Sequence, residues 1–525
     1  MRRSVKWLSG SSSGAVAPTL ALSLTMLIVA GGVAFDYARI ASLDTEMQNA
    51  ADQATLAAAS QLDGKSGACA RAAAVARNML VNRTLMANDG QATPIIVADE
   101  PGCDATGLVR FYQNITKTTA ATSDANARFV EIEVNPRQAY YTLTPVVGLL
   151  TTGSSTARAF AGVSSAICKV PPLMLCNPNE GSDPAFTTAS YVGKGIRLVA
   201  NDGGGGYGPG NFGFLDTNAG NGAAALRELL GRTSLGGDCA AENGVTTQPG
   251  EMISVLDALN TRFDVYANGL NQTCGADGSL CLPSANTRKD IMRGDGGGNG
   301  ACAYQPGNGN VGWKEAEAPY LPASATVPLT DAEISPLSPM GYPRDMCHAV
   351  SNTGTCAGGR IGTGTWDRYA YFRSNSDPNY LEITDAATFA AKMTEWFNTT
   401  TPSRYQVYAW EMDRAAARLQ PKTINNRTAH GAPVCAPSGV SPSPTTLDRR
   451  VISAAVINCT AQGINGRTTG VQVAKWIELF LVEPSLPRTR TEASDVYVEV
   501  IRETVNATDE GAVQEVKKTV PYLIE

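Results

Sequence analysis

Gly14-Ala-Val-Ala-Pro-Thr-Leu-Ala-Leu-Ser-Leu-Thr-Met-Leu-Ile-Val-Ala-Gly-Gly-Val-Ala-Phe35 carries no charged residue, and an alanine-rich stretch continues from it to Ser60. As a helix rising about 1.5 Å per residue, the apolar part reaches about 33 Å. That is enough to cross a hydrocarbon core of roughly 30 Å. Arg2, Arg3 and Lys6 precede it, and Asp36, Asp44 and Glu46 follow closely. The positive-inside rule then places the short N-terminus in the cytoplasm and the rest of the chain outside it. A cleavable signal peptide is the competing reading, but its apolar core usually runs about 7–15 residues before a small-residue cleavage site. The nearest such site here, Gly32-Val33-Ala34, would cut inside a pattern that continues as helix. The pattern favours a retained anchor.

Beyond the apolar stretch the helix has a seam. Ile40, Leu43, Met47, Ala50, Ala54 and Ala57 recur at spacings of three and four, which is one helix face. Alanine on that face lets a neighbour approach closely. The spacing fits two arrangements, packing against helices of other proteins or docking onto the chain's own globular part.

These residues carry a family resemblance. A basic start is followed by Gly14-Ala-Val-Ala, an apolar span, Asp36-Tyr-Ala-Arg39, and then Met47-Gln-Asn-Ala-Ala-Asp-Gln-Ala-Thr-Leu-Ala-Ala-Ala59. The order resembles the N-terminal anchor of TadG/TadE-type proteins of the tight-adherence (Flp) pilus assembly machinery, over about residues 10–62. The resemblance implies a single-pass protein of a bacterial inner membrane, with a cytoplasmic N-terminus, a periplasmic body and no catalysis of its own. Its partners would be the membrane and other pilus-assembly proteins or pilins, met through the Ile40 to Ala57 face. Two departures stand out. Prepilin-like members carry a glutamate about five residues after the processing glycine, whereas Thr19 occupies that place after Gly14. The Asp-x-Ser-x-Ser metal motif of longer members is absent from the sequence.

Only 17% of the 525 residues are charged, while 52 are Gly and 29 are Pro, which favours a β-rich, loop-heavy body over a helical bundle. A net charge of −6 argues against nucleic acid as a partner, because that binding needs a basic footprint. All twelve cysteines lie on the expected outer side, and an even count in an oxidising compartment reads as a disulfide set. Short separations suggest Cys168–Cys176, Cys274–Cys281, Cys347–Cys356 and Cys435–Cys459.

The expected fold class is α+β, with a transmembrane helix continuing into an extracytoplasmic helix and then β-rich domains. The organisation reads as a basic tail (1–13), a transmembrane helix (14–35), an amphipathic helix (36–62) and a small pilin-like α+β region (63–165). A Gly/Pro-rich, loop-heavy region (166–365) and a C-terminal mixed region (366–525) follow. Helices are expected at Ala70 to Leu80, Ala223 to Leu230, Met252 to Leu259 and Ala386 to Phe397. Strands are expected at Ile95 to Val97, Val130 to Val134, Tyr140 to Leu143, Tyr405 to Met412, Val451 to Ile457, Val473 to Val482 and Val496 to Ile501.

Chemistry-bearing motifs are sparse. Gly10-Ser-Ser-Ser-Gly14 spells a nucleophile elbow but lies in a polar tail, without the strand and helix that an elbow needs. The two histidines, His348 and His430, fall in loop-like sequence and read as exposed. Asp/Gly clusters around Asp202 and Asp295 match no calcium-binding loop and read as solvated turns. Trp366, Tyr369, Tyr371, Trp396, Trp410, Trp476 and Phe480 read mainly as core. No residue is assigned a catalytic, cofactor or metal role. A structural, non-enzymatic pilus-assembly component is expected, with a membrane-anchored adhesin or ligand-binding protein as the alternative.

Overall fold

The computed structural model describes residues 16–79, 85–87, 102–142, 152–168, 173–200, 207–216, 222–233, 239–241, 245–248, 253–307, 309–356, 359–375, 377, 380–414, 420–443, 446–504 and 518–524. The expected strand at Ile95 to Val97 and the glycine run around Asp202 lie outside them. The chain divides into two compact units, Met1–Ser165 with Thr519–Glu525, and Ala166–Lys518.

The first unit is built on α1 (Val16–Ala59), a single helix of 44 residues. Pro18 falls in its first turn, where a missing N–H costs nothing. Its first half is exposed all round: Leu20, Leu27 and Ile28 are each at least 65% exposed. Its second half is core. Leu43, Met47, Ala51, Ala54 and Ala58 are fully buried against α2 (Ala68–Met79) and one face of an antiparallel sheet. That sheet takes β1 (Val109–Tyr112), β2 (Phe129–Tyr140) and β3 (Thr152–Cys168) in order. Along β2 the residues Val130, Ile132 and Val134 alternate into the core, so period two decides which face is apolar. β2 runs on through Pro136 because the register slips between Val134 and Arg137, and a bulge tolerates a missing N–H. The last three residues of β3, Ala166–Cys168, belong to the second unit and pair there with β7 (Cys239–Ala241), Cys168 opposite Cys239 in register. The C-terminal strand β15 (Lys518–Leu523) returns to the outer side of β3.

The second unit contains a closed barrel. Its six strands run in the order β12 (Val451–Ile457), β13 (Val473–Leu481), β14 (Asp495–Glu503), β5 (Gly195–Ala200), β6 (Asn211–Phe214) and β4 (Leu173–Cys176). β4–β12 and β5–β6 pair in parallel, and the other neighbours are antiparallel. Strands from both sides of position 365 therefore build one barrel. β12 is buried at every position. Ile452, Ala454 and Val456 face one core with Leu479, Val498 and Leu175, while Ala455 and Ile457 face another with Met174 and Trp476. Burial on both faces explains why β12 reads as a continuous apolar run. α3 (Ala223–Gly231) and α4 (Ile253–Asn260) pack into the first core through Leu226, Leu230, Val255 and Leu259. A four-stranded sheet adds β10 (Lys422–Ile424), β11 (Arg427–Ala429), β8 (Ile291–Gly294) and β9 (Trp313–Glu315).

One expected strand is a helix. Arg404–Asp413 is α-helical, with a capping box between Ser403 and Gln406. Its aromatic residues favour strands in isolation, but Arg404, Val407, Tyr408 and Glu411 share one buried face at helical spacing. Ala386–Phe397 and Val451–Ile457 form where expected. The strand expected over Tyr140 to Leu143 does not: β2 ends at Tyr140, Tyr141 and Thr142 lie outside any strand, and Leu143 is outside the described residues.

Five disulfides are described: Cys69–Cys103, Cys176–Cys459, Cys274–Cys281, Cys302–Cys435 and Cys347–Cys356. Of the four expected pairs, Cys274–Cys281 and Cys347–Cys356 form. Cys168–Cys176 and Cys435–Cys459 do not, because the parallel β4–β12 pairing carries Cys176 to Cys459 across 283 residues. Closing so long a loop stabilises by about 5 kcal/mol in the chain-entropy account, against about 2 kcal/mol for a loop of seven residues. Replacing Cys176 and Cys459 by Ala should therefore lower the guanidinium unfolding midpoint more than the same change at Cys274 and Cys281.

Candidate functional site

The described site is the second half of α1 and the surface that receives it. Five polar side chains of α1 reach the unit's own backbone or sheet. Asp36 Oδ1 accepts from the Thr142 N–H at 3.0 Å, and Asp44 Oδ1 accepts from Ser155 Oγ at 2.7 Å. Glu46 accepts from the N–H groups of Leu85 (2.7 Å) and Met86 (3.3 Å), while Arg39 Nε donates to the Met86 carbonyl at 3.2 Å. Gln48 Nε2 donates to the Arg158 carbonyl at 3.2 Å. These bonds flank the apolar seam on both sides and fix the rotation of the helix. They also satisfy backbone groups that would otherwise lose their water.

The second helix is held from outside itself. Asp124 accepts from the N–H groups of Gly67 (2.8 Å) and Cys69 (2.9 Å) at the start of α2. Those two bonds hold its carboxyl below the usual carboxylate range, as expected at the positive end of a helix. The Cys69–Cys103 disulfide ties the same turn, and Gly64 (φ +73°) makes the reversal between the helices.

The seam expected to meet partner helices is consumed here. Leu43, Met47 and Ala54 are fully buried in the unit's own core, and Ile40 and Ala50 are partly buried against it. The alanines bring α1 close to α2 and to Ala157, Ala159 and Ala161 of β3. Of the two arrangements that the spacing allowed, docking onto the chain's own fold is the one formed. A partner helix has no access to Leu43, Met47 or Ala54.

Residues 14–61 match the sequence model of the Tad family, "Putative Flp pilus-assembly TadE/G-like". The matched segment is α1 with its clamps, so the block that resembles the family is also the block that packs the first unit. It links the chain to Flp/Tad pilus assembly. One helix of the described chain is long and apolar enough to cross a membrane, and the disulfides fit an oxidising compartment. No curated protein and no solved structure matches the chain.

The other candidates resolve into structure. His348 is fully buried in a short turn at Met346–Ala349, not exposed in a loop. Its ring meets Tyr497 edge-on, and neither ring nitrogen has a hydrogen-bond partner among the described residues. Burial pushes its pKa down to about 4, with Asp345 opposing the shift and Arg344, Arg404 and Arg197 adding to it. His430 is half-buried beside Trp313, and burial with Lys289 and Arg293 also lowers it to about 4. Asp295 accepts from the Asn310 side chain. Trp366, Tyr371, Trp410 and Phe480 are buried in one aromatic cluster, with Tyr369 and Trp396 packed against it; Trp476 is buried in another. Gly10 to Gly14 lie outside the described residues.

Sequence reasoning missed the buried acids. Glu411 accepts from Tyr342 Oη (2.5 Å), Tyr371 Oη (2.6 Å), Tyr380 Oη and Asn286 Nδ2 (2.7 Å). Asp345 receives the Gly364 N–H at 2.7 Å and the Arg404 guanidinium, which also binds Glu499 at 2.8 Å. Both carboxylates hold the Arg404–Asp413 helix to its surroundings. Only the Ser403-x-x-Gln406 cap, readable from sequence, pointed toward that helix.

Two outcomes follow from this packing. Ala54→Leu should destabilise the first unit by about 1–3 kcal/mol through overpacking. Gln53→Leu, on the exposed face, should stay within about 0.5 kcal/mol, both read by protease susceptibility of detergent-solubilised protein. For His348, the unfolded chain takes a proton near pH 6.5 that the folded chain refuses until about 4, so acidification across that window destabilises the fold. The loss from this residue is about 3 kcal/mol, and His348→Leu should flatten the stability–pH curve between those limits.

Proposed function

We propose that this chain is a structural, non-catalytic component of a Flp/Tad pilus apparatus. Residues 14–35 anchor it in a bacterial inner membrane, its N-terminus is cytoplasmic, and its disulfide-braced body is periplasmic. One observation carries the reading. α1 is a single helix whose lipid-compatible first half runs without interruption into the core of a folded unit. An anchor joined by a flexible linker would leave the body free to swivel. A continuous helix with its seam buried fixes the orientation of the unit on the membrane, which suits a part that must present a surface to an assembling fibre. Since the Leu43 to Ala54 part of the seam is occupied, other pilus-assembly proteins or pilins would meet α1 through its exposed half, Val16 to Phe35.

The polar clusters of the second unit support the same reading. Glu411, Asp345 and Arg404 spend their hydrogen bonds on neighbouring chain, which is the economy of a scaffold.

Membrane insertion and pilus production in intact cells test the proposal together. Leu27→Arg places a charge at the middle of the span and should cost insertion about 2.5–3.5 kcal/mol. It should shift the protein out of the membrane fraction and abolish pili, while leaving protease resistance of the body unchanged. Wild-type pilus numbers in a strain lacking the chain altogether would refute the assembly role.

A further inference from the structure

We propose that the loop from Cys347 to Cys356 is a redox-latched lid over His348. The disulfide holds the loop on the imidazole, and its reduction lets the loop lift and admits water and protons to the ring. The bond spans a sequence separation of 9, with His348 directly after its first cysteine. Gly354 rests on the ring: a Cβ there would stand 3.3 Å from both His348 Cα and Cδ2, and its φ of +72° suits glycine. On the outward side, Asn352, Thr353 and Thr355 are exposed. A single layer of backbone thus separates solvent from a fully buried imidazole.

Little besides the disulfide seats this loop. Ser351-Asn-Thr-Gly-Thr355 carries no large apolar side chain whose burial would hold it down. Toward the rest of the chain it makes two side-chain hydrogen bonds among the described residues. Arg197 Nη1 donates to the Thr353 carbonyl at 3.2 Å, and Asn352 Nδ2 donates to Glu492 at 3.1 Å. The N–H groups of Gly354 and Thr355 bond within the loop, to Ser351 Oγ and the Cys347 carbonyl. Such bonds exchange for water at modest cost. Closure also keeps a polar ring from water while neither of its nitrogens has a partner among the described residues.

The charges facing the ring act in the same direction. Asp345 and Arg344 lie on its own segment, Arg404 comes from the Arg404–Asp413 helix, Arg197 from β5, and Tyr497 meets it from β14. Three of the four ions are cations, paired in turn with Glu483, Glu499 and Asp495. Burial, with these cations adding to it, holds the ring at a pKa of about 4, whereas an opened ring returns toward about 6.5. Between those limits an opened His348 takes a proton and resists re-entry, so falling pH keeps the lid open once the latch is cut. Cutting it takes a dithiol donor. One donor thiolate attacks a lid sulfur, the other lid sulfur leaves as thiolate, and the donor's second thiol resolves the mixed disulfide. Two electrons and two protons pass to Cys347 and Cys356.

Diethyl pyrocarbonate labelling of the full-length, detergent-solubilised protein, read by mass spectrometry, tests the latch. The chain has two histidines, and half-buried His430 lies outside the lid as the internal control. At pH 7 the oxidised protein should label at His430 and resist at His348. Cys347→Ala with Cys356→Ala should speed labelling of His348 at least tenfold and leave His430 unchanged. Cys356→Ala alone, which keeps the buried Cys347 side chain in place, should do the same. Slow labelling of His348 in both variants would mean a lid that closes without its disulfide, and would overturn the proposal. Joint acceleration at both histidines in both variants would overturn it too, since the disulfide would then hold the whole unit and not a lid.

Discussion

The alanine seam of α1 is the interaction on which the first unit depends. Ala51, Ala54, Ala58 and Ala59 are fully buried, so the helix backbone lies close to α2 and to the small residues of β3. Close approach multiplies weak dispersion contacts without large side chains. Asp36, Asp44, Glu46 and Gln48 then set the rotation of the helix through bonds to the sheet and to the segment at residues 85–86. One helix thereby has two surroundings. Its first half is apolar and exposed, and its second lies in a packed protein interior.

The second unit solves a different problem, closing a sheet that includes β12, a strand buried on both faces. Closure removes the edge strands that such sequences would otherwise expose. Large cations are buried beside the barrel at positions where backbone carbonyls or carboxylates accept from them. Arg450 donates to the carbonyls of Leu481, Val482 and Arg288 while its guanidinium lies 4.5 Å from the Phe263 ring centre and 4.7 Å from that of Phe480. Arg404, fully buried, is bracketed by Asp345 and Glu499. Removing one partner of such a group leaves an uncompensated charge, so these positions tolerate little change. They restrict which loops can meet the barrel.

Much of the local structure was legible. The unbroken span into α1, the period-two strand at Val130 to Val134, the continuous apolar run at Val451 to Ile457, and the helix at Ala386 to Phe397 follow from local pattern alone. The misread helix at Arg404–Asp413 shows the limit of spacing. Its aromatic residues carry strand propensity, and a capping box with a buried face outweighs that propensity. His348 shows another limit. A histidine between a cysteine and an alanine gives no sign that a disulfide turn and Tyr497 will enclose it.

By itself, the sequence determined that this chain has an apolar span continuing into helix, an even cysteine complement and a segment of Tad type, because these depend on composition and short-range periodicity. Tertiary structure decided which cysteines pair, that the Leu43 to Ala54 seam serves the chain's own core, and that strands far apart in sequence close one barrel. Those outcomes depend on which distant surfaces meet, and pairing across hundreds of residues leaves no local mark.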